Sequence, residues 1–307
     1  MTRIGSFAQS QAILAELTKA NERTFKTQLQ ISTGKVAQQY RDIPSQTGVL
    51  LSAKRVQTRT EQYQAVGTEL TNKLDQQNVI LEQTASTAGD LRQSILDSVS
   101  TESGAALMEQ VQSAFRNALS SLNTKFDGKY MFAGSRTDTA PVNISNLNDL
   151  TLVGSVSSVF TNDQQRQSVE IEAGHAFDYN FLADEVGTEL MDSLKRIADF
   201  NAGPNGPFSQ HLTTAQRDFL TTEANNLGIV TQNLNNLVAR NGQYSNEVDA
   251  ASERLDQTKT FMKGFISDIE DVDMAQAVTN LNQDQLVTEA TAKLISSLHK
   301  MSLLDFI

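Results

Sequence analysis

The chain has 307 residues, no cysteine, no tryptophan and a formal net charge of −11. The lack of cysteine excludes disulfides, thiolate metal ligands and a cysteine nucleophile. The negative charge disfavours nucleic acid and anionic membrane surfaces, which need clustered Lys and Arg, and no apolar run is long enough to cross a bilayer. We therefore expect neither a nucleic-acid partner nor a membrane partner.

The first predicted element in chain order is an N-terminal helix over residues 4–31, whose few apolar residues lie among many Gln and Thr. The sequence "STGK" (residues 32–35) follows it, and Gly34 is typical of a helix C-terminus. Residues 274–301 predict a similar helix near the other end of the chain. Because most helix stability comes from burying a face, both terminal helices are expected to need partners.

Two long stretches predict the main helices. Apolar residues recur in alternating steps of four and three over residues 49–95 and again over residues 220–269, without an intervening proline. This spacing is typical of a coiled-coil seam. Two such rods of similar length most simply pack antiparallel, each burying the stripe of the other. Polar seam positions such as Gln77, Asn241 and Lys259 would weaken the packing but help to fix its register.

The middle of the chain changes character. Shorter helices are predicted over residues 104–126 and 184–200, and the sequence "GPNGP" separates the second of them from the second rod. Between them, "KYMFAG", "DLTLVGSV" and "QSVEIEAG" favour strands. The predicted fold class is therefore mainly α and elongated, with long coiled-coil-like helical rods, paired terminal helices and a small β-rich insertion.

This reading divides the chain into three parts. Residues 1–34 and 272–307 form the terminal helices, which are expected to be an assembly core and to be disordered in the monomer. Residues 35–128 and 183–271 form a helical rod domain. Residues 129–182 form the β-rich insertion.

The stretch "ISDIEDVDMAQAV" (residues 266–278) is the strongest candidate for chemistry. Four carboxylates occupy six positions: Asp268, Glu270, Asp271 and Asp273. A calcium loop would need Gly and Glu where the chain has Gln276 and Asn282, and a glycosidase pair would need a concave site with sugar-stacking aromatics. Ser267 and Glu270 instead have the spacing of a capping box. The stretch is therefore interpreted as a joint between two helices.

No other group of residues has a catalytic or metal-binding pattern. The three histidines, His175, His211 and His299, lack metal-ligand spacing, and "STGK" lacks the remainder of a phosphate loop. We expect no enzymatic activity, no catalytic, cofactor-binding or metal residues, and no cofactor. An enzyme or ligand-binding module on the insertion is an alternative, although about 50 residues is small for one.

Several stretches resemble the bacterial flagellins and their junction relatives. "QISTGK" (residues 30–35) resembles the end of the first helix of that family, and residues 266–286 resemble its C-terminal joint, an S-x-I-E-D-x-D stretch. "GKYMFAGSRTDTAPV" (residues 128–142) and the ending "SLLDFI" are similar to the junction branch of the family. The segment "VAQQYRDIPSQTG" (residues 36–48) departs from the family, because it lacks an acidic pair.

The resemblance implies a structural adaptor at the junction between flagellar hook and filament, exported by the flagellar type III apparatus and located in the extracellular flagellum. The implied partners are another hook-associated protein, flagellin, further copies of the chain in a ring-like homo-oligomer, and an export chaperone on the C-terminal helix. The alternatives are a flagellin-type filament subunit and a coiled-coil translocator of a virulence secretion system. The expected assembly interface comprises Ile4, Phe7, Leu14, Leu17, Leu281, Leu294, Leu298, Leu303, Leu304 and Phe306.

Overall fold

The computed structural model describes the backbone of residues 2–304 and the side chains of residue 8 and residues 11–297. Helices dominate this part of the chain, accompanied by two small antiparallel sheets. The helices are α1 (Thr2–Thr33), α2 (Pro44–Ser100), α3 (Leu107–Leu122), α4 (Leu147–Leu152), α5 (Ala183–Ala202), α6 (Thr214–Glu270) and α7 (Met274–Leu304). The strands are β1 (Lys125–Phe126), β2 (Lys129–Tyr130), β3 (Ser168–Glu172) and β4 (His175–Asp178). The predicted mainly α fold with a small β-rich insertion is confirmed.

The chain forms two compact units. The terminal unit contains residues 1–59 and 257–307, and the central unit contains residues 60–256. Helices α2 and α6 contribute residues to both units. The three-part division expected from the sequence stays a prediction.

The coiled-coil spacing identified the buried faces of α2 and α6. Of the predicted seam positions, all of which lie in the described part of the chain, only Val49 is exposed. The prediction is wrong at that position, where the neighbouring Leu50 is buried instead. The buried face of α2 is therefore shifted by one residue near the start of the helix. Such a shift is expected, because an α-helix drifts relative to a strict repeat of 3.5 residues.

In the central unit α2 and α6 run antiparallel, as predicted. Residues from late in α2 contact residues from early in α6: Arg92 Nε donates to the carbonyl of Ala224 at 3.1 Å. Further along, Gln77 Nε2 donates to Asn241 Oδ1 at 2.8 Å, and Asn241 Nδ2 donates to the carbonyl of Leu74 at 2.9 Å. Both amides are buried in the seam. A shift of register would separate these partners, which supports the predicted role of the two polar positions.

The insertion contains fewer strand residues than predicted. Strands β1 and β2 form one hairpin, and β3 and β4 form another with an irregularity between Glu170 and Glu172. The stretch "DLTLVGSV", expected to be strand-like, instead contributes to α4, so that prediction is wrong. The side chain of Asn146 accepts a hydrogen bond from the Asp149 N–H, and the Asp149 carboxylate accepts one from the Asn146 N–H. This capping box stabilises a helix start despite the local β propensity.

The insertion shares its core with the helices around it. Apolar side chains from the insertion, α2, α3, α5 and α6 belong to one buried cluster. The insertion contributes Phe132, Val142, Leu147, Leu150, Val156 and Val159. A segment of this size cannot build a sufficient core alone, so its stability depends on these neighbours.

A tight turn in the insertion holds the start of the sequence "GSRTDT". Gly134 has a φ of +68°, which a glycine adopts without steric cost. The next residue, Ser135, donates its N–H to Asp163 Oδ1 at 2.9 Å and its hydroxyl to Asp163 Oδ2. Hydrogen bonds from Ser135 lower the pKa of Asp163 below its ordinary value.

In the terminal unit, the chain leaves α1 through the predicted glycine. Gly34 has a φ of +71°, and its N–H donates to the carbonyl of Gln30 at 2.8 Å. Two backbone hydrogen bonds then join the segment after α1 to the segment after α6. The Val36 N–H donates to the carbonyl of Glu270 at 2.7 Å, and the Val272 N–H donates to the carbonyl of Gly34 at 2.9 Å.

Candidate assembly site

The acidic stretch is a joint between helices, but its capping differs from the prediction. Helix α6 ends at Glu270 and α7 begins at Met274. Ser267 does not cap a helix; it lies in the last turn of α6 and donates its hydroxyl to Asp271. The cap of α7 is Asp273, whose carboxylate accepts the Gln276 N–H at 3.0 Å. The predicted Ser267 capping box is therefore wrong, because Ser267 lies inside α6 and the cap of the next helix is Asp273.

Two lysines explain why α6 can end among acidic side chains. Acidic side chains at a helix C-terminus are unfavourable, because the helix dipole is negative there. Lys35 Nζ lies 2.7 Å from Asp271 Oδ1 and 3.3 Å from Glu270 Oε2, and Lys54 forms a second ion pair with Glu270. The lysines offset the negative charge and join the ends of α1, α2 and α6 within the terminal unit.

The pKa shifts at the joint follow from this geometry. Burial alone would raise the pKa of Glu270, but hydrogen bonds from Lys54 and Lys35 outweigh it and lower the pKa below 4.5. The hydrogen bond from Lys35 is the main cause of the lowered pKa of Asp271. The reciprocal contacts raise the pKa of both lysines above 10.5. All four groups are therefore charged at neutral pH.

The joint does not have the geometry of a metal site. Among the described residues, no group of three His, Asp or Glu side chains is arranged to hold a metal ion. In the same part of the chain, no helix has both the length and the hydropathy needed to cross a bilayer.

Helices α1 and α7 pack against each other through small side chains. The only described side chains buried on these two helices are small: Ala20, Thr27, Ala277 and Thr291. An ion pair crosses between the helices, with Arg23 Nε 3.0 Å from Asp284 Oδ1. The pair therefore buries little apolar surface of its own, and its stability is expected to depend on further contacts.

Several large apolar side chains of the same two helices face outward. Of the fourteen large apolar side chains exposed in the described part of the chain, eight lie on α1 and α7. They are Leu14, Phe25, Leu29, Met274, Val278, Leu286, Val287 and Leu294. We call these eight side chains the terminal apolar surface. Exposed apolar groups at this density are typical of a surface that another molecule covers.

The predicted interface residues overlap this surface in part. Leu14 and Leu294 are exposed, whereas Leu17 and Leu281 are partly buried. The side chains of five further predicted residues lie outside the described ones: Ile4, Phe7, Leu298, Leu303 and Leu304. Phe306 lies outside the described residues altogether. The assignment of these positions to an interface stays a prediction.

The sequence-based site omitted two of the most exposed members of the surface. Phe25 is 67% exposed and Leu286 is 68% exposed. Each is a large apolar residue among the small and polar residues of its helix, and that contrast was visible in the sequence. The face to which each residue belongs emerges only from the pairing of α1 with α7.

Comparison with known proteins finds two matching family models. The model of the bacterial flagellin N-terminal helical region matches residues 4–137, and that of the C-terminal helical region matches residues 220–307. No curated protein sequence matches the chain.

Solved structures share the fold. A protein from Vibrio parahaemolyticus described as a flagellar hook-associated protein is 20% identical; the alignment covers 75% of this chain and 100% of that one, with a TM-score of 0.59. FlgL of Bacillus cereus is 13% identical, with coverage of 71% and 99% and a TM-score of 0.55. At these identities the likeness concerns the fold.

Proposed function

Because this chain belongs to the flagellin superfamily, we propose that it is a structural adaptor at the junction between the flagellar hook and filament. Its family membership makes it an extracellular structural component of the bacterial flagellum that assembles with other flagellar proteins and with itself, and not an enzyme. The proposal concerns its place among those components: an adaptor contacts a different protein on each side.

The terminal apolar surface carries the proposal that the terminal helices are the assembly element. Fully burying one large apolar side chain contributes about 1.5–3 kcal/mol. Eight such side chains remain exposed in the isolated chain, while the contact between α1 and α7 buries small residues. Neighbouring subunits that cover these side chains would therefore stabilise the helix pair and the assembly together.

Two observations favour an adaptor over a filament subunit. The solved structures that share the fold include a protein described as hook-associated and a FlgL. The stretch over residues 128–142 also resembles the junction branch, and its Ser135 is held by Asp163. A flagellin-type filament subunit is the second candidate, because both matching family models describe flagellin regions.

The location of the protein in isolated flagella tests the proposal. Labelled antibody viewed by electron microscopy should mark a short band at the distal end of the hook. Label distributed along the filament would refute the adaptor role and favour the filament subunit.

Self-assembly provides a second test. A filament subunit must present matching upper and lower surfaces so that axial contacts repeat, whereas an adaptor must match different proteins. We expect the purified protein to form no long homopolymers, even with filament seeds. We also expect removal of residues 302–307 to prevent incorporation at the hook tip. Extended filaments of this protein alone would contradict the proposal.

A matched pair of substitutions tests the terminal apolar surface itself. Leu286 on α7 is 68% exposed and Val79 on α2 is 64% exposed. Both can be changed to Asp at little cost to the folded monomer, since exposed positions away from special features usually change stability by less than about 0.5 kcal/mol. Leu286→Asp should reduce incorporation into flagella, whereas Val79→Asp should not. Equal incorporation of the two variants would show that Leu286, and with it this part of α7, does not contribute to the interface.

Export by the flagellar type III apparatus, with a chaperone covering α7 beforehand, belongs to the same proposal. Exposed apolar side chains such as Leu286 and Leu294 would favour premature association in the cell. In a strain without a functional flagellar export gate the protein should remain inside the cell. Its appearance in the medium of that strain would contradict this route.

A further inference from the structure

The central unit contains a cleft that the assembly role does not use. Its volume is about 500 Å³, within the range of small-molecule sites. It lies among α2, the β1–β2 hairpin and the segments next to β3 and β4. Apolar side chains from these elements form its walls, including Val66, Leu70, Phe126 and Met131.

A lysine lies in the lining of this cleft among polar neighbours. Lys73 Nζ donates to Gln167 Oε1 at 2.6 Å and to the Tyr179 hydroxyl at 2.8 Å. The Tyr179 hydroxyl in turn donates to Gln167 Oε1 at 2.7 Å. The three groups form a closed triangle that holds the amino group in place. An ammonium group has three N–H donors, so this triangle uses two of them.

The lysine lacks a carboxylate partner. No Asp or Glu oxygen within the described part of the chain lies close enough to Lys73 to form an ion pair. Its third N–H likewise has no protein acceptor among those residues. Burial lowers the pKa of Lys73, and the charge of Lys129 lowers it further, whereas Glu69 opposes both. Glu69 and Asp127 also lie in the lining, and the Tyr179 ring centroid lies 4.8 Å from Lys73 Nζ, but neither carboxylate forms an ion pair with the lysine. A bound anion would offset the remaining cost of burying the charge.

We propose that this cleft binds a small organic carboxylate with an apolar body. The carboxylate accepts the free N–H of Lys73, while Gln167 and Tyr179 hold the amino group. Burial raises the pKa of Tyr179 to about 12, so its hydroxyl keeps the proton that it donates to Gln167. The chain of the ligand packs on the partly exposed apolar walls of the cleft, including Val66 and Phe126.

Three six-carbon ligands with different head groups test the proposal. Hexanoate, 1-hexanol and hexylamine share one apolar body and differ in charge. Calorimetric titration of the full chain at pH 7 should give saturable binding of hexanoate, with a Kd on the order of 1 mM. Hexanol should bind at least about tenfold more weakly, because it lacks the charge that pairs with Lys73. Hexylamine should not bind.

Variants locate the binding. Lys73→Met should weaken hexanoate binding at least about tenfold. Lys125→Met is the matched control. Lys125 is on the β1–β2 hairpin that borders the cleft, with its Nζ 4.5 Å from the Tyr130 ring centroid, but it is not among the residues that line the cleft. The affinity of the Lys125→Met variant for hexanoate should stay unchanged. Val66→Phe should also weaken binding, because the larger side chain fills the cleft without altering Lys73.

If circular dichroism shows that Lys73→Met does not fold, Val66→Phe still tests whether hexanoate binds in the cleft. The proposal is overturned if hexanoate shows no saturable binding below about 10 mM. It is equally overturned if hexanol matches hexanoate, or if folded Lys73→Met or Val66→Phe binds hexanoate as tightly as the unchanged protein.

Discussion

Replacing Glu270 by Gln tests whether the charged joint stabilises the terminal unit. The substitution keeps the shape of the side chain and removes its charge. Glu270 is the acceptor shared by Lys35 and Lys54, and its side chain is 16% exposed. Both ion pairs are therefore lost in one step, while the backbone hydrogen bond from the Val36 N–H to residue 270 is retained.

The expected cost follows from the exposure of the three groups. Hydrogen bonds to charged groups contribute about 1.5–3 kcal/mol when buried. The side chains of Lys35 and Lys54 are 44% and 37% exposed, so water can solvate both lysines after the change. Each pair is then closer to the surface value of about 0.2–1 kcal/mol. We expect Glu270→Gln to lower the free energy of unfolding of the terminal unit by about 1–2 kcal/mol.

Varying the pH separates a charge effect from a packing effect. The pKa of Glu270 is lowered below 4.5 in the folded protein, so the folded state binds fewer protons than the unfolded state as the pH falls. The stabilisation is present above pH 4.5 and is lost as the pH falls through the lowered pKa. The difference between the protein and Glu270→Gln should therefore be complete at pH 7 and shrink as the pH falls below 4.5. Asp271 is present in both proteins, and Lys35 remains available to pair with it in each.

The measurement is urea unfolding followed by circular dichroism at 222 nm, with amide hydrogen exchange at the ends of α1 and α6 as a local probe. Asp268→Asn is the matched control, because Asp268 is an exposed carboxylate in the same stretch. It should leave stability nearly unchanged. Equal stability of the protein and Glu270→Gln at pH 7, or a difference that does not shrink as the pH falls below 4.5, would refute the reasoning.

Four further substitutions test other contacts by the same urea assay. Arg196→Met should lower the free energy of unfolding by about 3–5 kcal/mol, because it leaves the Glu223 carboxylate, which is 3% exposed, without its bidentate partner. Glu223→Gln should lower it by less, because the Arg196 side chain is 44% exposed and can be solvated. Gly134→Ala should cost about 1–3 kcal/mol, because its φ is +68° and an added Cβ would lie 2.9 Å from the Asp163 carbonyl oxygen. Asp273→Ala should cost about 1 kcal/mol by removing the cap of α7, with faster hydrogen exchange in its first turn.

Each of these has an outcome that would contradict it. An equal loss of stability in Arg196→Met and Glu223→Gln would mean that the burial of Glu223 does not determine the cost of breaking the pair. A stable Gly134→Ala variant would mean that the turn can relax. Unchanged exchange at Gln276 in Asp273→Ala would mean that water replaces the cap.

The helices could be predicted from the sequence because their stability depends on a regular apolar period. The spacing over residues 49–95 predicted α2, which extends from Pro44 to Ser100, and the acidic stretch predicted the joint before α7. Helix α4 was missed because its apolar residues are typical of a strand, whereas its formation depends on the hydrogen bonds between Asn146 and Asp149.

The candidate site was harder to predict because its contacts join distant parts of the chain. Lys35 and Asp271 are 236 residues apart, so only the fold brings the lysine to the acidic stretch. The outward position of Phe25 likewise depends on which face of α1 meets α7. Local sequence identifies residues able to form such contacts, and tertiary packing selects among them.

The core that the insertion shares with α3 and α5 limits how the protein can be engineered. Deleting residues 129–182 as a cassette would remove apolar side chains such as Phe132 and Leu150, both of which are almost completely buried in the core that α3 and α5 share. A label or epitope should instead be inserted where the backbone is solvated and no core residue is displaced. Leu152, at the end of α4, is 84% exposed, and Gly154 has open space around it. A short tag inserted directly after Gly154, which leaves Val153 packed against the core, would display a foreign sequence while preserving the packing on which the central unit depends.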